Sequence, residues 1–216
     1  MNIRKTKAGF SLIEILVSLV VISIFSVALY AAIKYFSMTY RINTMETMAL
    51  KYAETAVQNI TKDICWAINI DTAYAPSLGF PNTKTSASFK LPAIDSNLEI
   101  IGNLGEYNDY LHLYIDADNK LIIKIWSDYA LNPAGKTSQR RQEIVPYEII
   151  ASEHIKSINF FNSESRSLSD LSILELSEMK SVIVEVTSFV KSNKLKTTKD
   201  EITKTIRTQI AFRNKI

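Results

Sequence analysis

The chain has 216 residues, of which 47% are hydrophobic, and a formal net charge of +3 at pH 7. This length suits one or two domains with a buried core. The mean hydropathy of +0.03 hides an uneven distribution, because the apolar residues are concentrated near the N-terminus. A single cysteine, Cys65, excludes an intrachain disulfide and a multi-cysteine metal site, and favours a small apolar group packed near a helix end.

The N-terminal segment joins a short basic stretch to a long apolar one. Residues 1–9 contain no acidic residue, and their removal would leave 22 basic against 22 acidic residues. The nineteen residues 15–33 contain no charge, proline or glycine. A helix needs about 20 such residues to span a bilayer, so we predict a membrane helix whose basic flank holds the N-terminus in the cytoplasm. The basic residues of that flank are Arg4, Lys5 and Lys7.

Two simpler interpretations of this segment fit less well. A secretory signal has a shorter apolar run, followed by small residues, whereas here the pair Ala8-Gly9 precedes the run. A plain signal anchor does not explain Glu14, an acidic residue in the apolar stretch that begins at Phe10. A carboxylate at the bilayer centre costs about 2.5 to 3.5 kcal/mol and calls for a partner. A glutamate that reaches the headgroups from the edge of the span is the alternative.

Residues Gly9-Phe10-Ser11-Leu12-Ile13-Glu14 resemble the cleavage site of type IV prepilins and of type II secretion pseudopilins. The resemblance covers residues 4–40. It implies that a prepilin peptidase cuts between Gly9 and Phe10 and N-methylates the Phe10 amine. Glu14 would then pair with the amino terminus of a neighbouring subunit and set the register of assembly, since opposite charges attract strongly in a low dielectric.

The apolar periodicity continues beyond the membrane span. Spacings of three and four predict one stripe of an amphipathic helix, and a coiled coil is the alternative. We predict a single helix over residues 11–67, with 10–34 as membrane and filament core and 35–67 as its amphipathic continuation. The helix lacks the proline that many major pilins carry, which by the resemblance favours a minor component. The stripe consists of Ile42, Met45, Ala49, Tyr52, Ala56, Ile60 and Ile64.

The remaining chain predicts antiparallel β-structure. Residues 68–109, rich in Pro, Gly, Ser, Thr and Asn, are predicted as an irregular loop region with short strands at 87–91 and 98–101. We predict an α+β, type IV pilin-like fold in which the long N-terminal helix packs on an antiparallel sheet formed by residues 110–216. The order of these predicted elements along the chain resembles that of W-type minor pilins and J-type pseudopilins. The predicted strands of this sheet are 110–115, 120–126, 155–162, 181–190 and 202–212.

Residues able to support chemistry are few. The sequence has no G-x-S-x-G, C-x-x-C, H-E-x-x-H, P-loop or G-x-G-x-x-G pattern, so we predict a structural protein and no enzyme. His112 and His154 lie in strand-like stretches and are predicted as structural residues. Asp116, Asp118 and Asn119 favour a hairpin turn; calcium is the alternative, since some pseudopilins bind it.

The C-terminal residues carry an excess of positive charge. Residues 180–216 contain nine basic and three acidic residues. This segment could contact DNA or an acidic neighbouring subunit, or its lysines could keep edge strands from pairing. The last of these is favoured, because the segment has only two aromatic residues, Phe189 and Phe212, that could stack on single-stranded DNA.

Two classes of function follow from these patterns. The favoured one is a minor pilin or pseudopilin that initiates or caps a type IV pilus or type II secretion pseudopilus. Its expected partners are the prepilin peptidase, other minor subunits and the major subunit. We expect a single pass of the bacterial inner membrane, with the C-terminal domain in the periplasm, before entry into a filament. The alternative is a signal-anchored periplasmic binding module, such as an adhesin or DNA receptor.

Overall fold

Helix α1, Leu12–Ile64, is the first element of the computed structural model, which describes residues 11–94, 97, 99–104, 106–127, 147–192 and 201–213. The chain divides into two units, Met1–Thr44 and Met45–Ile216. The apolar half of α1 belongs to the first unit and the amphipathic half to the second. The remaining elements are β1 (Asn69–Ile70), α2 (Tyr74–Ser77), β2 (Ala87–Pro92), β3 (Asn108–Ile115), β4 (Leu121–Ser127), β5 (Tyr147–Ser152), β6 (Ile155–Phe161), a 3₁₀ helix (Leu168–Asp170), α3 (Ile173–Glu178), β7 (Ser181–Lys191) and β8 (Glu201–Ala211).

The predicted single helix over residues 11–67 is confirmed to within three residues at its end. After Ile64 the backbone tightens into bonds of the 3₁₀ type, with the Ala67 amide donating to the Ile64 carbonyl at 2.8 Å. Lys62 lies in the last turn, where a cation interacts favourably with the helix dipole. The C-terminus of α1 is therefore stabilised by local backbone and charge interactions.

The strands of the described residues form two antiparallel sheets, where the sequence led us to expect one. Their orders are β1-β2-β3-β4-β5 and β6-β7-β8. The chain changes sheets at Glu153 and His154, where His154 has a φ of 58° that interrupts the extended backbone. The Ile155 amide then donates to the Asn119 carbonyl, and the Phe189 amide donates to the His154 carbonyl, both at 2.9 Å. These bonds direct β6 to β7 and away from β5.

Most predicted strands are confirmed, including the hairpins β3-β4 and β7-β8. The strand predicted at 98–101 is wrong: residue 98 lies outside the described residues, and Ile100 makes only an isolated bridge to Ile94. Gly102, at φ 70° and packed close to Tyr107, turns the chain there. The stretch 68–109 also holds more regular structure than the predicted loop, namely β1, α2 and β2.

The amphipathic half of α1 packs on both sheets through its small residues. Ala49, Ala53 and Ala56 are fully buried, and their short side chains allow the strands to approach closely. Ile60 and Ile64 fill the core beyond them. The predicted stripe is confirmed in part. Its members from Met45 to Ile64 are buried except Tyr52, which is partly exposed, and Ala53, which the prediction left out, is fully buried.

Three hydrogen bonds fix the helix against strands of the two sheets. Asn59 Nδ2 donates to the Ala151 carbonyl of β5 at 2.6 Å. The Ser152 hydroxyl donates to the carbonyl of Tyr52 at 3.0 Å. The buried Ser188 hydroxyl of β7 donates to a further helix carbonyl, that of Ala49. Because buried hydroxyls and amides are costly without partners, these bonds define one position of the helix on the strands.

The strand side of the core follows the alternation of the sequence. Val182, Val184 and Val186 of β7 are all fully buried, with partly buried residues between them. The rings of Phe160 and Phe212 meet Phe89 edge to face, at centroid distances of 6.3 and 6.2 Å. Aromatic contacts therefore join β2 of the first sheet to the second sheet.

Replacing Ile60 with alanine should lower the free energy of unfolding by about 2 to 5 kcal/mol, because it leaves a cavity under both sheets. Leu50 lies on the same helix with 41% of its surface exposed, and Leu50→Ala is the matched control, with an expected change within about 0.5 kcal/mol. Urea unfolding of the full-length chain in detergent micelles measures both. Equal losses for the two variants would show that α1 does not pack as described.

Candidate functional site

The first half of α1 exposes nearly all of its large apolar side chains. Phe25, for example, is 75% exposed. The most apolar 18-residue window of the helix has a mean hydropathy of 2.7, and none of it is buried. By length and composition this helix can cross a membrane. A signal sequence meets the same criterion. The core helix of a soluble protein can also meet it, but such a helix is mostly buried, unlike this one. This half of α1 therefore requires apolar surroundings.

Hydroxyl groups within the apolar stretch bond to the helix itself. The Ser23 hydroxyl donates to the Leu19 carbonyl and the Ser26 hydroxyl to the Ile22 carbonyl, each at 2.8 Å. Polar groups in hydrocarbon must find partners within the protein, and serine can use the preceding turn in this way. These two serines are thus compatible with an apolar environment.

Glu14 lies in the first turn of α1 and closes its N-terminus with Ser11. The Ser11 amide donates to Glu14 Oε2 at 2.9 Å, and the Glu14 amide donates to Ser11 Oγ at 3.3 Å. This reciprocal pair is a capping box. The carboxylate also lies at the positive end of the helix dipole, which favours a negative charge. Glu14 therefore has a partner within its own chain.

The capping box is a role for Glu14 that our sequence interpretation missed. The pattern Ser11-Leu12-Ile13-Glu14 ahead of an apolar run is its sequence signature. The other predicted residues of this site, Gly9 and Phe10 with the basic residues Arg4, Lys5 and Lys7, lie outside the described residues. The structure brings Ser11 and Glu14 together at the point where the predicted mature helix begins.

His112 is a buried structural residue, as predicted. Its Nδ1 lies 2.7 Å from the Ser88 oxygen, and the Ser88 hydroxyl donates its proton to the Phe80 carbonyl at 3.1 Å. The ring packs between those of Phe80 and Tyr114, at centroid distances of 5.1 and 5.6 Å. Burial, followed by the nearby Lys124 ammonium, lowers the pKa of His112 to about 4. The imidazole is therefore neutral at pH 7.

His154 lies in the link between β5 and β6 and not within a strand, which corrects its predicted position. Its ring contacts Tyr52 at a centroid distance of 4.8 Å and Phe189 at 5.8 Å. Both contacts are with aromatic rings of the second unit. His154 therefore packs at the change of sheet, a structural role like that of His112.

Asp116 forms the hairpin turn between β3 and β4. Its Oδ1 accepts hydrogen bonds from the amides of Asp118 at 2.9 Å and Lys120 at 2.8 Å. Asn119 adopts the left-handed conformation, with φ 60°, that asparagine tolerates. The carboxylate thus holds the turn, and calcium binding by Asp116, Asp118 and Asn119 stays a prediction. Among the described residues no three His, Cys, Asp or Glu side chains cluster in a way that could hold a metal ion.

Cys65 packs partly buried at the end of α1, against the main core. Its Sγ lies 3.4 Å from the Lys62 carbonyl of the preceding turn. Its surroundings match the small packed group that the sequence predicted at a helix end.

Lowering the pH from about 6.5 should destabilise the second unit through His112. The unfolded chain takes up a proton near pH 6.5, whereas the folded chain does so near pH 4. Stability therefore rises with pH across this window, and we expect a loss of roughly 2 kcal/mol between pH 6.5 and pH 5. Urea unfolding of the wild type and of His112→Gln at both pH values measures the effect. The prediction fails if the variant loses as much stability as the wild type.

Comparison with known proteins places one match at the N-terminus. The family described as the prokaryotic N-terminal methylation motif matches residues 4–30. The matched stretch contains Gly9, Phe10 and Glu14 and ends inside the apolar half of α1. No curated protein and no solved structure matches the chain. The chain thus carries the type IV prepilin-like signal, followed directly by an exposed apolar helix and an α+β unit.

Proposed function

We propose that this protein is a minor pilin or pseudopilin, a structural subunit that initiates or caps a type IV pilus or type II secretion pseudopilus. The observation that carries the proposal is the methylation motif leading into a helix whose apolar side chains are exposed. A filament core supplies the apolar surroundings that such a helix needs. The missing proline in α1 supports a minor role.

Processing of the leader explains the position of Glu14. Cleavage between Gly9 and Phe10 would free the Phe10 amine, four residues before Glu14, and N-methylation would then modify it. In a filament, that amine on one subunit pairs with the Glu14 carboxylate of its neighbour, and each charge offsets the burial of the other. The capping box holds the carboxylate at the start of the helix, close to where the neighbour's amine would lie.

The expected cellular path follows from the same motif. A prepilin peptidase removes the leader, and other pilin subunits are the general partners. We propose that the chain crosses the bacterial inner membrane once, with its second unit in the periplasm, before it enters the filament. The specific minor and major subunits that it contacts belong to this proposal.

A second candidate function is a tethered binding module, such as an adhesin or a DNA receptor. The positive charge of residues 180–216, nine basic against three acidic, favours it. Glu14 discriminates between the two functions, because a tether would use this side chain only as a helix cap, whereas a filament subunit would also use its charge.

Substitution of Glu14 tests the proposal and separates its two interactions. Glutamine at the third helical position can keep a capping box but carries no charge, whereas alanine loses both. We expect Glu14→Gln and Glu14→Ala each to leave the chain in the membrane and to abolish its entry into sheared filaments, as measured by immunoblotting of both fractions. Glu46→Gln, farther along α1, is the control, and we expect it to enter filaments normally.

Two results would contradict this account. Normal filament entry of Glu14→Ala would show that neither interaction of Glu14 is needed for assembly. Normal entry of Glu14→Gln together with failure of Glu14→Ala would show that the helix cap matters and the charge pair does not.

A further inference from the structure

Strand β8 is an open edge of the three-stranded sheet. Within the described part of the chain, the order β6-β7-β8 leaves it paired on one side only. Its 11 residues run in unbroken register with β7, from Glu201 opposite Lys191 to Ala211 opposite Ser181, with no bulge and no proline. Most strands have about 5 or 6 residues, and edge strands are often shortened, bulged or interrupted by proline. Strand β8 is therefore long and regular for an edge.

The backbone groups that face the open edge belong to the odd-numbered residues of β8. The Phe212 amide donates to the carbonyl of Lys180, which is opposite Phe212 where the register continues beyond Ser181. Hydrogen-bonded and non-hydrogen-bonded pairs alternate along an antiparallel ladder, so the even-numbered residues of β8 bond to β7. The N–H and C=O groups of the odd-numbered residues therefore point away from β7. Those in the middle of the strand are Thr203, Thr205, Arg207 and Gln209.

Uncharged side chains on the exposed face of β8 bond back to β7. Thr205 Oγ1 lies 2.8 Å from Thr187 Oγ1. Gln209 Nε2 donates to the Ser181 hydroxyl, also at 2.8 Å. These polar groups are directed across the sheet and not along its edge. They leave the outward backbone groups of β8 uncovered.

Two of the three charged side chains of β8 also have partners within the second unit. Glu201 Oε1 lies 2.5 Å from Lys156 Nζ of β6. Lys204 Nζ lies 3.5 Å from Glu46 Oε2 of α1. Charged side chains that project from an edge strand protect it against pairing with other chains. Because these two are directed to β6 and α1, they give the edge little protection of that kind.

The third charged side chain, that of Arg207, crosses the sheet. Its Nη2 donates to Ser165 Oγ at 2.6 Å, and its guanidinium carbon lies 5.3 Å from the centroid of the Phe161 ring of β6. Ser165 belongs to the β6-β7 connection, in which Ser172 and Glu175 form a capping box. To reach β6 from β8 the side chain must pass over β7. Arg207 therefore points away from the open edge.

These contacts define the chemistry of a suitable occupant. The edge offers a row of backbone donors and acceptors, and the charged side chains of β8 are bound elsewhere. Addition of a strand to a sheet edge derives its affinity from main-chain hydrogen bonds, so the occupant is an extended segment without proline. Side chains next to Thr203 and Thr205 should be uncharged, because no free charge of β8 is there to pair with them. An unpaired edge strand of a neighbouring protein has this chemistry.

We propose that β8 pairs with an edge strand of a different pilin-like subunit, so that the three-stranded sheet continues into its neighbour. The partner is a different subunit because a chain that initiates or caps a filament occupies one end of it. The inference rests on the proposed function for this reason. Main-chain hydrogen bonds along β8 would then join the two globular units, in addition to the charge pair that Glu14 makes between the helices.

Photo-crosslinking of the full-length chain in cells that assemble filaments tests the contact. The photoreactive residue p-benzoylphenylalanine replaces Thr203, which is exposed on β8. Irradiation should produce an adduct with a different protein that itself begins with a processed, methylated prepilin N-terminus. The control places the same residue at Asp118, which is exposed in the β3-β4 turn, and should not yield this adduct.

Two substitutions of Thr205 distinguish backbone pairing from a side-chain contact. Proline removes an N–H that does not bond to β7, and its ring obstructs an approaching strand. Valine keeps the N–H and, like proline, loses the hydroxyl contact with Thr187. In the chain that carries the photoreactive residue, Thr205→Pro should abolish the adduct and Thr205→Val should keep it. Urea unfolding of both variants in detergent micelles shows whether each is folded.

Hydrogen exchange of the wild-type chain in micelles gives a measurement that does not depend on a variant. The amides of Thr205 and Arg207 should exchange roughly tenfold or more faster than those of Lys204 and Ile206, which bond to β7. Equal protection of the two sets would show that the edge is already covered, and would overturn the proposal.

The other outcomes of crosslinking also overturn the contact. An adduct that survives Thr205→Pro would indicate a side-chain contact. An adduct between two differently tagged copies would show that a second copy is the partner, and one with a protein that lacks the prepilin signal would indicate another occupant. Filaments that contain the processed chain but yield no adduct would refute the contact and leave the proposed function intact. Failure of the proposed function is separately visible, because the chain would then keep its leader or be absent from the filament fraction.

Discussion

The solvent requirement of α1 is the constraint on which the rest of the structure depends. The same helix exposes apolar side chains over its first half and buries a narrow stripe over its second. An aqueous environment suits only the second half of α1, because exposing the apolar side chains of the first half to water is strongly unfavourable. A bilayer and then the core of a filament are surroundings that suit the first half. The type IV prepilin-like signal immediately before it is consistent with both.

The second unit uses the remaining part of α1 as the support for two sheets. Alanines at positions 49, 53 and 56 allow close packing. Where the helix meets the strands, serine and asparagine side chains donate hydrogen bonds to backbone carbonyls. These bonds give the helix a single position, whereas apolar contacts alone would allow it to slide. The loops that connect the strands can then differ in sequence and structure without loss of the core. The β6-β7 connection, held by Arg166 and Glu175, is one such loop.

Local patterns predicted the elements of this fold better than its assembly. The apolar run and the stripe predicted α1, and alternation predicted β3, β4, β7 and β8, because each signal lies within one segment. Strand β5 was missed because Ile149 and Ile150 are adjacent and both exposed, which gives no alternation. The division into two sheets depends on the positive φ of His154, a conformation selected by tertiary contacts with Tyr52 and Phe189. The capping roles of Glu14 and Glu175 were readable from their serine-x-x-glutamate patterns.

The most direct test of the central claim is the mass of the mature chain. The protein is purified from membranes of cells with and without prepilin peptidase, and its intact mass and N-terminal residue are determined. The account predicts a chain that begins at N-methylated Phe10 when the peptidase is present and at Met1 when it is absent. A chain that keeps residues 1–9 in both strains would contradict processing, and with it the assignment of this protein to a filament.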